Sequence, residues 1–394
     1  MSAMETMALF VPHLVSTPLL PLALLAVTVL SLATWAAADT TVQERQIQRH
    51  REAAGESVTL TKVHAVGFGV MASLGLLAMW MWSNVLVYAS LFTFGLGSFV
   101  SIQQSLPGIL SRMGLGQGHH NLNTAFSGLF VLAWFWQRNE SIAWIFQDIL
   151  GGFTIALMLK VLKAPSMSAP TLLLLTAFVY DVFFVFVTPY LTKSGESIME
   201  AAATGAALTV KETIPMLFRI PSRSGEAMLG FGDVVLPGIL VTFLKEADAR
   251  LEEYSGGCYE ILGLGETRTQ KSWWSRRWGY HLTAILGYAL GLEVTFMAMM
   301  WSNKGQPALL YLVPCTVIPV MLLASKRHEL SLLWNGWGDV DQAEGEEVEV
   351  DEGYEEQDKE SEYDGDKRRS KRLQGKPSRM AGRVSLVASE TISL

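Results

Sequence analysis

The chain has 394 residues, of which 50% are hydrophobic and 17% are charged, whereas a soluble domain carries roughly 25% charged residues. This composition excludes an ordinary water-soluble enzyme. Residues 339–394 hold 16 of the 37 acidic and 9 of the 30 basic side chains, so the net charge of −7 belongs to this segment and the rest is neutral. Two cysteines, Cys258 and Cys315, are too few for a disulfide framework and form no Cys-x-x-Cys pair.

Apolar runs between charged residues predict nine membrane-spanning helices, because about 20 apolar residues cross about 30 Å of hydrocarbon. The first, Phe10–Trp35, is interpreted as a retained anchor and not a signal peptide, because no basic residue precedes it. Val63 to Ser111 lacks Asp, Glu, Lys and Arg and is too long for one span, so we expect it to turn back near Ser83-Asn84 and form two. The remaining six are Leu122–Trp136, Ile142–Leu159, Ala169–Tyr190, Ala227–Leu244, Tyr280–Trp301 and Pro307–Ala324.

The basic residues predict the orientation, because Lys and Arg concentrate in cytosolic loops. With the first loop placed inside, 15 basic residues lie on the cytosolic side and 6 opposite, so we expect a luminal amino terminus and a cytosolic carboxyl terminus. The Trp- and Arg-rich run 273–278 is then an interfacial anchor, not a nucleic-acid patch. Three regions follow: residues 1–62, an anchor and cytosolic loop; 63–325, a core of spans two to nine; and 326–394, a cytosolic tail. The tail is acidic and then basic, and such blocks are typical of disorder.

Four carboxyl side chains fall inside the predicted spans: Asp148, Asp181, Asp233 and Glu293. Ionisable groups in hydrocarbon are costly and mark functional sites. Asp181 and Asp233 lie about 14 Å and about 9 Å from the luminal ends of two antiparallel spans, at 1.5 Å per residue, so they can face each other. Two carboxyls that share a site cannot both ionise easily, which leaves one acid and one base for activating water and protonating a leaving amine.

Three motifs accompany these two residues and carry a family resemblance. They are Tyr180-Asp181, Gly230-Phe231-Gly232-Asp233 and Gln306-Pro307-Ala308-Leu309. Together they resemble the GxGD intramembrane aspartyl proteases, the family of signal peptide peptidase and presenilin, over roughly residues 60–325. Further similarity at Gln147–Gly151, Tyr180–Gly195 and Gly287–Pro314 favours the larger signal-peptide-peptidase-like subgroup. Members of that subgroup usually carry a luminal protease-associated domain before the first span, whereas about nine residues precede that span here. Either this lineage lacks the domain or the sequence is part of a longer gene product.

The resemblance implies an all-α, polytopic membrane protein with the presenilin-like intramembrane aspartyl protease fold. It makes Asp181 and Asp233 the catalytic dyad, titrating as a coupled pair. It further implies cleavage of single-span membrane proteins, mainly of type II orientation, or of signal-peptide-like remnants. The residues expected to support the dyad or position the substrate are Tyr180, Gly230, Gly232, Pro307, Ala308 and Leu309.

Two other functions use the same carboxyls. One is a proton or cation transporter with Asp181, Asp233 and Glu293 as a relay, although the sequence shows no repeat symmetry between halves. The other is a non-cleaving scaffold that binds transmembrane helices.

Other features limit cofactors, partners and location. No His-Glu-x-x-His or Gly-x-Ser-x-Gly sequence occurs, and we expect no metal and no other cofactor. The expected partners are transmembrane-helix substrates and the lipid bilayer, not nucleic acid, and assembly into a homo-oligomer stays open. The carboxyl end is neither a KDEL-type nor a dilysine signal, which favours Golgi, endosome, lysosome or vacuole over the endoplasmic reticulum.

Overall fold

The computed structural model describes residues 19–38, 44, 58–113, 120–138, 140, 142–191, 215–222, 225–257, 279–302 and 306–336. All of them belong to one compact unit, Met1–Trp337. The helices, in chain order, are α1 (Leu19–Ala37), α2 (Lys62–Met81), α3 (Ser83–Arg112), α4 (His120–Gln137), α5 (Ala143–Val161), α6 (Ser168–Val182), α7 (Thr188–Leu191), α8 (Gly232–Gly257), α9 (Tyr280–Ser302), α10 (Leu309–Lys326) and α11 (Leu330–Asn335). A π-helical turn, Phe183–Val187, joins α6 to α7.

The protein is mostly helical, as the sequence predicted, and it also contains two short strand pairs that were not predicted. Strands β1 (Val58–Thr59) and β2 (Leu162–Lys163) form a short parallel pair. Strands β3 (Leu217–Ser222) and β4 (Gly225–Gly230) form an antiparallel hairpin in which Leu217 pairs with Gly230. Hairpin β3–β4 was not predicted, because Ala227–Gly230 is as apolar as the helix that follows it and was assigned to the seventh span.

Six helical segments of the described chain are long and apolar enough to cross a membrane. They are Leu19–Ala37, Val85–Ser111, Ala143–Val161, Ser168–Leu191, Tyr280–Ser302 and Leu309–Lys326. This makes the protein a multi-pass membrane protein. Helices α2, α4 and α8 occupy the other three predicted spans, and α2 has a shorter apolar stretch, Lys62–Ala78.

Two predicted boundaries can be compared directly with the structure. The long uncharged run breaks at Trp82, between α2 and α3, one residue before the expected turn. The seventh predicted span was placed from Ala227, which is wrong, because β4 extends to Gly230 and α8 begins at Gly232. Asp233 therefore lies in the first turn of α8 and not six residues inside a helix. Residues 10–18 of the first predicted span lie outside the described residues.

Helices α9 and α10 pack closely against each other, and two glycines of α9 make this contact possible. A Cβ atom added to Gly287 would lie 2.2 Å from the Cys315 carbonyl oxygen, and one added to Gly291 would lie 2.9 Å from the Leu312 Cα atom. Small residues allow backbones in membranes to approach this closely, and dispersion contacts then hold the helices together. The Gly-x-x-x-Gly spacing thus fixes α10, whose first turn carries Leu309, against α9.

Polar contacts join the ends of several helices to one another. Lys163 forms an ion pair of 2.6 Å with Glu246 of α8 and donates a hydrogen bond to the Ala37 carbonyl at the end of α1. Asp248 accepts hydrogen bonds from the backbone N–H groups of Tyr280 and His281, both at 2.9 Å, and so caps the start of α9.

The folded unit continues past the predicted end of the core at residue 325. The Tyr280 hydroxyl donates a 2.6 Å hydrogen bond to Glu329, and Leu333 of α11 is fully buried. The predicted tail therefore begins inside the folded unit, and the part from residue 337 onwards lies outside the described residues.

Candidate active site

Asp181 lies near the end of α6 and is only 5% exposed. Its Oδ2 atom accepts a hydrogen bond of 3.1 Å from the backbone N–H of Leu309. The π-helical turn Phe183–Val187 begins two residues later, and such turns frequently lie at functional sites because they interrupt the regular hydrogen-bond ladder. The sequence motif at Gln306–Leu309 is thereby brought to Asp181 by a direct contact.

Asp233 stands where the hairpin changes into a helix. Strand β4 ends at Gly230, the Phe231 N–H donates to the Met216 carbonyl at 3.2 Å, and α8 then starts. The Gly230 N–H donates a hydrogen bond back to the Asp233 carboxylate. Asp233 is half-buried.

The two carboxyls are close enough to interact electrostatically. The backbone N–H of Leu309 donates a hydrogen bond to Asp181, and the backbone N–H of Gly230 donates one to Asp233. Two carboxyls that interact in this way titrate as a pair, and such a pair can act as general base and general acid on a substrate placed between them.

The other predicted site residues lie around this pair. Tyr180 is half-buried and packs on Phe184 with ring centroids 4.8 Å apart. Pro307 is buried and Ala308 half-buried at the start of α10. Gly230 is tight, because an added Cβ would lie 3.3 Å from Asp233 Oδ2, whereas Gly232 is exposed with open space around it. The roles of these residues in positioning substrate stay predictions.

The other two intramembrane carboxyls do not join the pair. Asp148 is buried and contacts the hairpin, with Oδ1 accepting from the Arg219 N–H at 3.1 Å. Glu293 is half-exposed on α9, on the same helix face as Leu286, Leu290 and Met297, which are all exposed. No contact described in the structure links Glu293 to Asp181 or Asp233, so the relay required by the transporter hypothesis is not seen. Among the described residues there is no group of three or more His, Cys, Asp or Glu side chains that could hold a metal.

Sequence reasoning missed a tyrosine at the site. Tyr288 of α9 is fully buried, its hydroxyl has no hydrogen-bond partner among the described residues, and Asp233 lies within electrostatic reach of it. A buried hydroxyl without a partner is unusual and calls for an explanation, such as a water or a ligand. Its only sequence signal is its place beside Gly287, the first glycine of the close helix contact.

Comparison with known proteins identifies the class of membrane protein that carries this carboxyl pair. The sequence model of the signal peptide peptidase family matches residues 52–339. The chain belongs to the signal peptide peptidase family.

Individual relatives are identical to this chain at about a third of the aligned positions. Human signal peptide peptidase-like 2B is 33% identical over 310 residues, which cover 72% of this chain and 48% of the relative. Mouse signal peptide peptidase-like 2A is 33% identical over 273 residues, covering 64% and 47%. Rice signal peptide peptidase-like 3 is 36% identical over 211 residues, covering 52% and 36%. The chain thus spans about half the length, or less, of these curated relatives.

A solved structure also matches. It is that of a presenilin family intramembrane aspartate protease, with a TM-score of 0.46 and 18% sequence identity, and the match covers 79% of this chain and all of the other.

Proposed function

We propose that this protein is an intramembrane-cleaving aspartyl endopeptidase with Asp181 and Asp233 as its catalytic dyad. The observation that carries the proposal is the pairing of a buried carboxyl, Asp181, with a half-buried one, Asp233, each bonded by a backbone N–H, beside the start of α10. Membership of the signal peptide peptidase family supports the same activity. The proposed substrates are single-span membrane proteins, mainly of type II orientation, or signal-peptide-like remnants.

In the proposed reaction the dyad, carrying one proton, binds a water molecule. The unprotonated carboxylate takes a proton from the water as it attacks the peptide carbonyl, and the protonated carboxyl supports the developing tetrahedral centre. A proton is then delivered to the leaving amine, and the dyad returns to its singly protonated state. No individual acid or base is assigned, because the two groups titrate together.

A helical substrate must unwind before its peptide bond can be attacked, since helix hydrogen bonds and side chains cover the carbonyls. The site supplies two features that suit an extended segment. Hairpin β3–β4 ends at Gly230, three residues before Asp233, and strands recognise extended peptides through main-chain hydrogen bonds. The exposed Gly232 leaves open space beside the carboxyl, so a backbone can approach it.

The finer topology is part of the same proposal. Nine spans, a luminal amino terminus and a cytosolic carboxyl terminus follow from the apolar runs and the excess of basic residues in the proposed cytosolic loops. Residence in Golgi, endosome, lysosome or vacuole, and assembly into a homo-oligomer, complete the proposal. Tags at both ends, probed from each side of sealed vesicles, test the orientation, and a tail reached from the luminal side would overturn it.

The deciding experiment is cleavage of a type II single-span reporter by the purified full chain in lipid vesicles. Asp181→Asn and Asp233→Asn preserve the shape of each side chain, and each should abolish product formation. Glu293→Gln is the matched control, because it makes the same carboxyl-to-amide change in another span, and it should cleave normally. Cleavage that persists in both dyad variants overturns the protease assignment. Loss of proton flux in Glu293→Gln without loss of cleavage in the dyad variants would favour a transporter.

A further inference from the structure

Two adjacent polar residues near the start of α5, Gln147 and Asp148, have no role in the chemistry described above. Both are buried, at 4% and 6% exposure. The Gln147 amide nitrogen donates a hydrogen bond of 2.7 Å to the Leu217 carbonyl, and Asp148 Oδ1 accepts one of 3.1 Å from the Arg219 N–H. Both partners belong to β3, about 70 residues away in sequence.

These two contacts reproduce the pattern of a strand neighbour. In a parallel ladder, one residue donates its N–H to residue i−1 of the adjacent strand and accepts from the N–H of residue i+1. Here the Gln147 side-chain amide donates to the Leu217 carbonyl, and the Asp148 carboxylate accepts from the backbone N–H of Arg219. The two side chains thus occupy the position that a third strand would take.

The contacts lie on the edge of β3 that faces away from β4. Successive residues of a strand direct their backbone groups to opposite sides, and the Met216 carbonyl bonds Phe231 on the β4 side. Leu217, Arg219 and Pro221 therefore face α5, which also agrees with the absence of an N–H on Pro221. Helix α5 closes this edge where the hairpin meets the site.

The pairing of β3 with β4 connects these two contacts to Asp233. Leu217, which Gln147 holds, pairs with Gly230 across the hairpin, and the Gly230 N–H donates to the Asp233 carboxylate. One turn further along α5, a Cβ added to Gly151 would lie only 2.3 Å from the Phe231 ring, and Phe231 packs on Phe218 with centroids 4.6 Å apart. The same face of α5 therefore contacts both strand β3 and Phe231, which lies between Gly230 and Gly232.

We propose that Gln147 and Asp148 are positioning residues that hold hairpin β3–β4 in register and thereby place Asp233 against Asp181. The inference rests on the proposed protease function. It assigns Asp148 the role of a hydrogen-bond acceptor and not that of a third catalytic carboxyl. Only Oδ1 of Asp148 bonds the strand, and Oδ2 has no hydrogen-bond partner among the described residues. An amide oxygen in the same place keeps this hydrogen bond and loses only the electrostatic attraction between the carboxylate and Arg219.

Two isosteric substitutions test the proposal because they have opposite expected outcomes. Asp148→Asn keeps the acceptor for Arg219 and should cleave the reporter with kcat within about twofold of the unmodified protein. Gln147→Glu replaces the donor by an acceptor opposite the Leu217 carbonyl. It should lower kcat at least about tenfold, since misplacement of a catalytic group by about 1 Å can cost about 100-fold. Asp148→Leu should behave like Gln147→Glu. In Gln147→Glu and Asp148→Leu, KM should change less than kcat, because the dyad is displaced and the substrate still binds.

Hydrogen–deuterium exchange of the segment 215–230 gives a readout that does not depend on activity. The segment should exchange faster in Gln147→Glu and Asp148→Leu and at the original rate in Asp148→Asn. Glu293→Gln is again the control and should change neither kcat nor exchange. If Asp148→Leu fails to fold, the isosteric pair still decides the question.

Some outcomes overturn the inference. If the Asp148→Asn variant is as inactive as the Asp181→Asn variant, the carboxyl group of Asp148 itself is needed. Unchanged exchange and unchanged kcat in Gln147→Glu would show that the contact positions nothing. Failure of the proposed function looks different: the unmodified protein would not cleave, while the exchange measurement would still report on the anchoring of the hairpin.

Discussion

The backbone N–H of Leu309 donates a 3.1 Å hydrogen bond to Oδ2 of Asp181, although 128 residues separate them. This contact joins the start of α10 to one member of the dyad. Anything that moves α10 must therefore move Asp181 or break the bond. The packing of α9 against α10 therefore contributes to the position of Asp181.

Gly287→Ala tests this dependence. The added methyl would lie 2.2 Å from the Cys315 carbonyl oxygen, and backbone cannot yield as a flexible side chain can, so α9 and α10 must separate. We expect a loss of about 1–3 kcal/mol in stability, typical of overpacking, and a larger proportional loss of cleavage. Gly75→Ala of α2 is the control, since no atom lies within 4 Å of its added methyl. Thermal unfolding in detergent and reporter turnover measure the two effects, and unchanged turnover in Gly287→Ala would contradict the coupling.

The two glycines before Asp233 should differ in their tolerance of alanine. An added Cβ at Gly230 lies 3.3 Å from Asp233 Oδ2, whereas one at Gly232 meets nothing within 4 Å. We therefore expect Gly230→Ala to lower kcat several-fold by displacing the carboxylate. Gly232→Ala should leave kcat nearly unchanged and raise KM, because its methyl enters the open space that a substrate backbone would use. Steady-state kinetics separate the two, and equal effects on kcat would show that the local geometry differs from the one described.

The sequence predicted much of this architecture because charge is so rare in the spans. Absence of charge from Val63 to Ser111 required a turn near Ser83, and the helix breaks at Trp82. Hairpin β3–β4 was missed because lipid-facing and buried segments are both apolar, so Ala227–Gly230 carries no alternation that separates a strand from a helix. The same limit led to the wrong helical start for α8.

Some features of the candidate site could likewise be predicted from the sequence, and others could not. Asp181 and Asp233 could be selected because intramembrane carboxyls are costly and their spans are antiparallel. The bond from Leu309 and the anchoring of β3 by Gln147 could not be derived from spacing. Each depends on a backbone group of a segment distant in sequence, and its direction is fixed only when the helices have packed.

Asp248 should make the stability of the protein depend on pH. Burial raises the pKa of this carboxyl above its ordinary value, although the N–H groups of His281 and Tyr280 oppose the shift. The folded state therefore binds the proton more tightly than the unfolded chain does. The contribution of Asp248 to the free energy of unfolding falls as pH rises from the unfolded value of 3.8 towards the folded pKa, and it is constant above that.

Asp248→Asn removes this titration and one of the two acceptors at the start of α9. We expect its unfolding midpoint to be lower than that of the unmodified protein, since a helix cap contributes about 1 kcal/mol. The difference between the two midpoints should shrink as pH rises through the acid range. Unfolding in detergent, followed at a series of pH values, checks the sign, and a difference that grows with pH would contradict it.

Tyr288→Phe separates a role in the reaction from a role in stability. The hydroxyl is buried beside Asp233 and bonds no described residue, so its removal costs the folded protein no hydrogen bond seen in the structure. We expect an unchanged or slightly higher unfolding midpoint, because an unsatisfied buried donor disfavours folding. If the hydroxyl bonds the water or the substrate carbonyl held by the dyad, kcat should fall about tenfold or more, as it does when a donor to a developing charge is lost. Tyr180→Phe, on the Asp181 side, is the companion variant. Normal kcat together with a lower midpoint in Tyr288→Phe would instead assign the hydroxyl to packing.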